Sequence, residues 1–249
     1  MKNLLIASFI LGCLTTQAQD LIYRDTLPFD PDTLNIEELC QKYKTDKCAD
    51  KHNYVTHYYE FFFPIRHSAE RILEIGMLHG ASHHLWKDYF SNAEIYGIDI
   101  DTNVIINEGR IHSMIADQSD RVALKAFTDS FPGQFDVIID DGGHSLEQQQ
   151  VSFAYLFQFV KPGGYFIIED VHTSLPEYYP PQFYGVNADT SNTTLEMIHT
   201  YLEEHSMESL YMTEEEQGYL ENSIWYMQLN FTSDELHSVC CIIRKKEED

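Results

Sequence analysis

The chain has 249 residues, 43% of them hydrophobic, and a formal net charge of −24 from 40 acidic and 16 basic residues. This length suits one domain with a short appendage, and the hydrophobic fraction is sufficient for a buried core. Because so acidic a surface repels phosphate backbones and anionic lipids, we expect neither nucleic acids nor membrane surfaces as partners.

Residues 1–18 have the pattern of a signal peptide. Lys2 supplies a basic start, an apolar run extends from Leu4 to Leu14, and Thr16-Gln17-Ala18 forms a small-x-small cleavage site before Gln19. The apolar run is too short for a stable membrane anchor. The protein is therefore expected to be secreted or periplasmic. The alternative is a cytoplasmic protein whose hydrophobic N-terminal helix packs on the domain or on a partner subunit.

Residues 19–66 are predicted to form an N-terminal segment of loops and helices. One helix begins near Asn35, a plausible N-cap, and an aromatic-rich helix that starts near residue 52 ends at Pro64. The aromatic helix is expected to pack in the core, or alternatively to use its tyrosines as a wall for a ligand. The five cysteines have no zinc spacing and define no framework, although a Cys40–Cys48 disulfide is possible.

Residues 67–249 are predicted to form the main domain, because strand-like and helix-like patterns alternate along them. This alternation indicates βαβ units and a parallel sheet. Two further strand-like runs, 224–231 and 236–243, have no helix between them and predict an antiparallel hairpin. The expected fold is α/β: a Rossmann-like, doubly wound, mostly parallel seven-stranded sheet with an antiparallel C-terminal hairpin. The five predicted parallel strands cover residues 71–75, 94–99, 114–116, 135–139 and 165–168.

The turn after the first strand is a candidate cofactor site. Gly76 and Gly80 are four residues apart, so the turn lacks the G-x-G-x-x-G spacing of nicotinamide and flavin proteins. Asp99 ends the second strand, where an acidic residue accepts hydrogen bonds from ribose hydroxyls. Together they predict an adenosine site without a pyrophosphate, as S-adenosylmethionine requires. The alternative is a scaffold of the same fold that binds no nucleotide.

Two neighbouring strands end in acidic pairs, Asp140-Asp141 and Glu169-Asp170. Ligands of open α/β sheets bind outside the carboxyl ends of the strands. We expect Asp141, Glu169 and Asp170 to converge there and to bind a divalent cation such as Mg²⁺, which would relieve their repulsion. The alternative is that some of them act as caps or salt-bridge partners. Asp140 is expected to face away from the metal or towards the cofactor.

His144 is the predicted catalytic base. It follows Asp141 by three residues, and Gly142-Gly143 permits a tight turn that brings the imidazole over the metal. An imidazole ordinarily titrates near pH 6.5 and can accept a proton from a substrate hydroxyl. The alternative is a surface or capping histidine, since the chain has 12 histidines. A Pro-rich loop at 176–185 is expected on the same face as a lid or substrate wall.

Seven motifs between about Leu39 and Ser174 carry a resemblance to a known family. They are YKTDK, the His52/Tyr54 segment, LEIGMLHGAS, YGIDID, ADQSD, IIDDGGH and KPGGYFIIEDVHTS. Together they resemble the macrocin/mycinamicin sugar O-methyltransferases, a family of class I S-adenosylmethionine-dependent enzymes. Two departures are visible: Gly80-Ala81 replaces two adjacent glycines, and the family's N-terminal extension is replaced by a short acidic segment, so macrolide specificity does not carry over.

The resemblance implies S-adenosylmethionine and Mg²⁺ as cofactors. It implies metal binding by Asp141, Glu169 and Asp170, with His144 as the base. Asp117 and Gln118 correspond to positions around the adenine. The residues that it implies for cofactor binding are Glu74, Gly76, Gly80, Ser82, Asp99, Asp117, Gln118 and Asp140.

The predicted function is Mg²⁺-dependent O-methyl transfer to a hydroxyl of a sugar or other small polyol. A small-molecule acceptor is the expected partner, and a homo-oligomer is an option. One alternative is a metal-dependent hydroxylase of the same fold, which would need iron and therefore histidine ligands beside a carboxylate. The other is an exported, non-catalytic binding protein, because an exported protein meets little S-adenosylmethionine.

Overall fold

The computed structural model describes residues 33–176, 192–233 and 237–248. The signal-like stretch 1–18 and nearly all of the 176–185 loop lie outside these ranges, so both remain predictions. Within the described ranges, no helix is long and apolar enough to cross a membrane. Helices that precede residue 67 and the sheet that follows it belong to one compact unit, Asn35–Asp249.

Seven strands form one sheet in the order β3-β2-β1-β4-β5-β7-β6. β1 to β5 are parallel, and β7 runs antiparallel to both of its neighbours. The predicted seven-stranded sheet with an antiparallel C-terminal hairpin is therefore confirmed. The strands are β1 (Arg71–Ile75), β2 (Glu94–Asp99), β3 (Ile111–Ile115), β4 (Phe135–Asp140), β5 (Val160–Ile168), β6 (Ile224–Ser233) and β7 (Ser238–Lys245).

Helices cover both faces of the sheet. α1 to α3 pack on one face and α4 to α7 on the other, which gives a hydrophobic core on each side. The helices are α1 (Thr33–Tyr43), α2 (Tyr54–Phe62), α3 (Ala81–Tyr89), α4 (Arg121–Ser130), α5 (Leu146–Leu156), α6 (Thr194–Glu204) and α7 (Glu214–Ser223).

Central strands are apolar on both sides because both faces are covered. Val137 and Ile139 of β4 belong to one core, and Ile138 belongs to the other. The neighbouring free cysteines Cys240 and Cys241 divide in the same way, since they are buried in the cores on opposite faces of the sheet. The predicted end of the aromatic helix is also confirmed, since α2 stops at Phe62 and passes into a 3-10 turn.

Two element boundaries differ from the prediction. β5 already begins at Val160, directly after α5 and a 3-10 turn, whereas the sequence predicted this strand over 165–168. The early part of β5 contains Gly163 and Gly164, which suggested a turn; the pairing of Val160 with Phe135 extends the strand through them. β3 likewise begins at residue 111 rather than 114.

α7 was not predicted from the sequence. Its apolar signal is weak, since only Leu220 of its ten residues is buried. A capping box between Thr213 and Glu216 starts the helix, and three acidic residues in the first turn complement the helix dipole. The acidic run 214–216 thus forms the first turn of this helix.

Candidate active site

A cavity of about 570 Å³ opens at the carboxyl ends of β1, β2 and β4. Its volume lies in the usual range for small-molecule sites. Eight of the twelve predicted site residues line it, and the remaining four, Glu74, Gly80, Asp140 and Glu169, do not. The residues that line it are Gly76, Ser82, Asp99, Asp117, Gln118, Asp141, His144 and Asp170.

The turn after β1 requires glycine at position 76. Gly76 has φ +87°, and a Cβ atom there would lie 2.1 Å from the carbonyl oxygen of Asp141. The first-strand turn and the turn after β4 are therefore in direct backbone contact. Leu78, in the same turn, also has a left-handed backbone at φ 46°. Such conformations cluster at ligand sites because the surrounding structure must hold them in place.

Asp99 ends β2, lines the cavity and accepts hydrogen bonds from two backbone segments. Its Oδ2 accepts a hydrogen bond from the backbone N–H of Met77 at 2.7 Å, and its Oδ1 accepts one from Asp101 at 2.8 Å. A carboxylate oxygen accepts more than one hydrogen bond, so ribose hydroxyls could share these oxygens. Asp117 lies nearby in the cavity wall, where its Oδ1 accepts hydrogen bonds from Ser119.

Asp140 is 1% exposed and stabilises the turn after β4 through hydrogen bonds. It accepts hydrogen bonds from Ser152 and from the Gln118 side chain, which itself accepts the Gly143 N–H at 2.7 Å. Burial raises the pKa of Asp140 to about 6, against the opposing hydrogen bonds. Gln118 thus links the cavity wall to the turn that carries His144.

Asp141, His144 and Asp170 converge at the cavity wall. His144 Nε2 lies 3.1 Å from Asp170 Oδ2 and 4.0 Å from Asp141 Oδ1. The other ring nitrogen, Nδ1, is buried and has no hydrogen-bond partner among the described residues. The arrangement provides a carboxylate–imidazole pair at the cavity wall.

Asp170 is held by groups from three parts of the chain. The Tyr54 hydroxyl donates to Asp170 Oδ1 at 2.6 Å, and His172 Nε2 lies 3.6 Å from the same oxygen. Burial alone would raise the pKa of Asp170, but His144, His172 and the Tyr54 hydroxyl outweigh burial and hold that pKa below its ordinary value. Asp170 is therefore an anion at neutral pH with Oδ2 turned towards His144.

Glu169 is 1% exposed and lies behind the cavity wall. Its Oε1 accepts from the Tyr58 hydroxyl at 2.6 Å, and its Oε2 accepts from Lys47 at 2.7 Å. Burial, with the nearby Asp141, raises the pKa of Glu169 well above its ordinary value, although Lys47 opposes the shift. Both oxygens of this predicted metal ligand are thus engaged by protein groups.

Glu74 also lies behind the wall, fully buried. It accepts from the Trp86 indole at 3.0 Å and pairs with Lys47 at 3.2 Å. Burial raises its pKa to about 7, against the opposing charge of Lys47. Glu74 therefore belongs, with Lys47 and Glu169, to a buried cluster of charged groups behind the cavity wall.

Sequence reasoning did not identify Lys47, which pairs with Asp141, Glu169 and Glu74. A lysine in a polar loop gives no sign of burial. Tyr54 and Tyr58 carried a usable signal, since two tyrosines four residues apart lie on one face of a helix. Their rings pack in the core while their hydroxyls reach Asp170 and Glu169, so the packing and ligand-wall interpretations both apply.

Asp141 and Asp170 can each offer a carboxylate oxygen to a divalent cation, and these oxygens lie within 4.8 Å of each other and of a His144 ring nitrogen. His52, Asp170 and His172 form a second cluster of this kind. His172 Nδ1 accepts the Val239 N–H at 3.1 Å, so the neutral ring carries its proton on Nε2, the atom that faces Asp170. A protonated nitrogen cannot ligate a metal. The second cluster therefore surrounds Asp170 with polar groups and does not offer His172 as a metal ligand.

The strand order, with one reversed strand beside β5 and a cavity at the carboxyl ends of the parallel strands, defines a class I methyltransferase fold. The chain matches a solved structure of MycE methyltransferase from the mycinamycin biosynthetic pathway, in complex with Mg, SAH and mycinamycin VI. The TM-score is 0.69 at 29% identity, over 86% of this chain and 55% of the other.

Curated relatives confirm the resemblance predicted from the motifs. Demethylmacrocin O-methyltransferase of Streptomyces fradiae is 34% identical over 168 residues, 65% of this chain and 41% of its own length. Mycinamicin VI 2''-O-methyltransferase of Micromonospora griseorubida is 34% identical over 179 residues, 68% of this chain and 43% of its own. The chain thus spans less than half of the curated relatives it matches. No family model matches it.

Proposed function

We propose that this protein transfers a methyl group from S-adenosylmethionine to a hydroxyl of a sugar or similar polyol, with the help of a divalent cation such as Mg²⁺. One observation carries the proposal: a single cavity brings the Gly76 turn and Asp99 together with the His144–Asp170 pair. The similarity to sugar O-methyltransferases, and to a methyltransferase solved with Mg and SAH, supports the same chemistry.

The methyl donor is proposed to bind along the β1 and β2 ends of the cavity. Asp99 would accept hydrogen bonds from the ribose hydroxyls, and the Gly76 turn would let the backbone approach the donor closely. Asp117 and Gln118 line the wall where the adenine would lie. Much of the rate would come from alignment of donor and acceptor, which contributes roughly 7–11 kcal/mol in well-oriented systems.

His144 is the proposed base. Asp170 Oδ2 lies 3.1 Å from His144 Nε2, where it would stabilise the imidazolium that forms when the ring takes the acceptor's proton. As that proton moves to the imidazole, the acceptor oxygen would form its bond to the methyl carbon while the carbon–sulfur bond of the donor breaks.

Asp141 and Asp170 are the residues proposed to hold the cation, since each has a carboxylate oxygen near His144. A bound divalent cation would lower the pKa of a coordinated hydroxyl and orient it.

Export of the protein is proposed as well. The structure contains a Cys40–Cys48 disulfide, which the sequence left as one option, and disulfides are typical of oxidising compartments.

The test is calorimetric titration of S-adenosylmethionine into the full chain and into the form beginning at Gln19, with and without Mg²⁺. Binding in the micromolar range, followed by transfer of a labelled methyl group to a panel of glycosides, would support the proposal. No binding under either condition would overturn it and favour an exported, non-catalytic protein.

A further inference from the structure

Two lysines that line the cavity, Lys44 and Lys51, have side chains without a protein partner. Within the described ranges, neither side chain makes a hydrogen bond, an ion pair or a ring contact. Every other lysine and arginine of those ranges makes at least one such contact. In a chain with a net charge of −24, the two described cations without a partner thus belong to the same cavity.

Lys44 occupies a backbone position that favours glycine. It directly follows the last residue of α1, has φ 60°, and donates its N–H to the carbonyl oxygen of Cys40 at 2.8 Å. Helices commonly end in this way with glycine, because a side chain in the left-handed region is strained. Such strain clusters at ligand sites, and Lys44 lines one.

Both lysines are tied to the Cys40–Cys48 disulfide. The N–H of Lys51 donates to the carbonyl oxygen of Cys48 at 3.0 Å, just as the N–H of Lys44 donates to that of Cys40. The disulfide therefore fixes the distance between the two backbone positions that carry the lysines. A ligand that binds to a fixed pair of groups loses less affinity to the ordering of the protein.

Lys51 borders the part of the cavity where the acceptor would react. The next residue, His52, has its Nδ1 4.0 Å from Asp170 Oδ1, and Asp170 contacts the proposed base. S-adenosylmethionine has a carboxylate too, but its sulfonium and ammonium groups make it a net cation, which two lysines repel. The cavity wall also carries carboxylates, whose charge the divalent cation and the cationic donor would offset. The charge of the lysine pair therefore complements the acceptor.

We propose that Lys44 and Lys51 form a subsite for a negatively charged substituent of the acceptor, so that the substrate is an acidic sugar with a carboxylate or a phosphate. The inference rests on the proposed methyl transfer and deepens it by naming the substrate class. Carboxylate and phosphate oxygens both accept charge-assisted hydrogen bonds from ammonium groups. The pair would hold this substituent while a hydroxyl of the same sugar lies beside His144.

The test is a titration of the full chain, followed by saturation-transfer NMR, with three probes: D-glucuronate, D-glucose 6-phosphate and D-glucose. Each acidic probe should bind at least about tenfold more tightly than glucose, and this preference should fall as salt screens the exposed charges. Lys44→Gly and Lys51→Met should each reduce the preference by about three- to tenfold, and the double variant should abolish it.

Lys44→Gly separates a binding role from a structural one, because glycine relieves the left-handed strain. It should lower affinity for the acidic probes without lowering the thermal midpoint, whereas Lys44→Arg keeps the charge and should keep most of the affinity. Lys42→Met is the matched control. It removes the same charge two residues away, from an exposed pair with Asp88 outside the cavity lining, and should leave the preference unchanged.

Equal binding of glucose and the acidic probes by the wild type, or an unchanged preference in the double variant, would overturn the inference. So would an intact preference together with a tenfold weaker Kd for S-adenosylmethionine, measured by calorimetry, which would assign the lysines to the donor's carboxylate.

Transfer of a labelled methyl group to the same sugars tests the proposed function separately. Equally efficient transfer to neutral and acidic sugars would support methyl transfer and contradict the subsite. Lysine-dependent binding of the acidic probes without any transfer would support the subsite and contradict methyl transfer.

Discussion

His144 and Asp170 both have left-handed backbones, at φ 57° and 54°. For residues other than glycine such conformations cost of order 1–3 kcal/mol each and persist only where neighbouring contacts impose them. Here the Thr173 hydroxyl donates to the carbonyl oxygens of both His144 and Asp170, at 3.0 and 2.9 Å. The strained backbone therefore places the two side chains in contact.

Replacement of His144 tests the base directly. His144→Ala should lower kcat by roughly 10²–10⁴-fold, the usual contribution of general base catalysis, and leave the Kd for S-adenosylmethionine unchanged. Turnover of a labelled methyl donor and calorimetry measure the two quantities. The control is His199→Ala, an exposed histidine on α6. Turnover of His144→Ala at the wild-type rate would remove this residue as the base.

Asp99 is predicted to control affinity for the methyl donor. Asp99→Asn should raise the Kd for S-adenosylmethionine by about 10- to 100-fold, because a hydrogen bond to a charged group contributes about 1.5–3 kcal/mol. The matched control is Asp101→Asn, two residues further on and outside the cavity lining. Equal donor affinity of the two variants would place the nucleoside elsewhere.

Among the elements, α7 is held to α4 by a paired contact. Arg121 Nε and Nη2 each donate to a Glu216 oxygen at 2.8 Å. Burial alone would raise the pKa of Glu216, but the hydrogen bonds from Arg121 and Thr213 outweigh it and lower that pKa. Since the folded pKa is below the unfolded one, Glu216 stabilises the fold above the unfolded pKa and loses this effect as pH falls through the folded pKa.

Glu216→Gln should therefore lower the free energy of unfolding by about 1 kcal/mol at neutral pH, a modest value because the pair is partly exposed. The difference from wild type should shrink as pH falls below about 4.3, the ordinary pKa of glutamate. Urea unfolding at a series of pH values measures it. A difference that grows towards acid pH would contradict this account of α7.

The loop between α1 and α2 is closed by the Cys40–Cys48 disulfide, over a sequence separation of 8. Closure of a loop of this length contributes about 2.5 kcal/mol through the entropy of the unfolded chain. Treatment with a reductant should lower the free energy of unfolding by about that amount. The Cys40→Ser/Cys48→Ser variant is the control, since it should begin at the lower stability and show no response. A response of that variant would point to Cys240 or Cys241.

For the whole molecule, the net charge of −24 implies self-repulsion in the folded state. Raising NaCl from low to physiological concentration shortens the screening length to about 8 Å and should raise the thermal midpoint, by about 2–4 °C for each kcal/mol gained. The measurement is made with EDTA present, so that divalent ions do not contribute. A falling midpoint would show that attractive ion pairs outweigh the repulsion.

The sequence predicted the sheet because buried parallel strands such as β4 are continuous apolar runs, and chain order then places their acidic ends at one edge. It could not predict that Glu169 and Glu74 lie behind the wall while their neighbours line it. The burial of Glu169 and Glu74 depends on Lys47, which pairs with both. Lys47 also pairs with Asp141, 94 residues away along the chain. α7 was missed because a surface helix with one buried residue has little apolar period.

β7 is the last of the described strands in chain order, yet it lies inside the sheet, between β5 and β6. Its Val239 N–H fixes His172, and its Ser238 hydroxyl shares a hydrogen bond with His52, 186 residues away. During synthesis the earlier parts of the chain emerge first. A nascent chain would thus contain all the predicted metal ligands and His144 while β7 was still inside the ribosome. The β7 contacts that hold His172 and His52 beside Asp170 would form only later. The site would then be complete only after β7 had been synthesised and had joined the sheet.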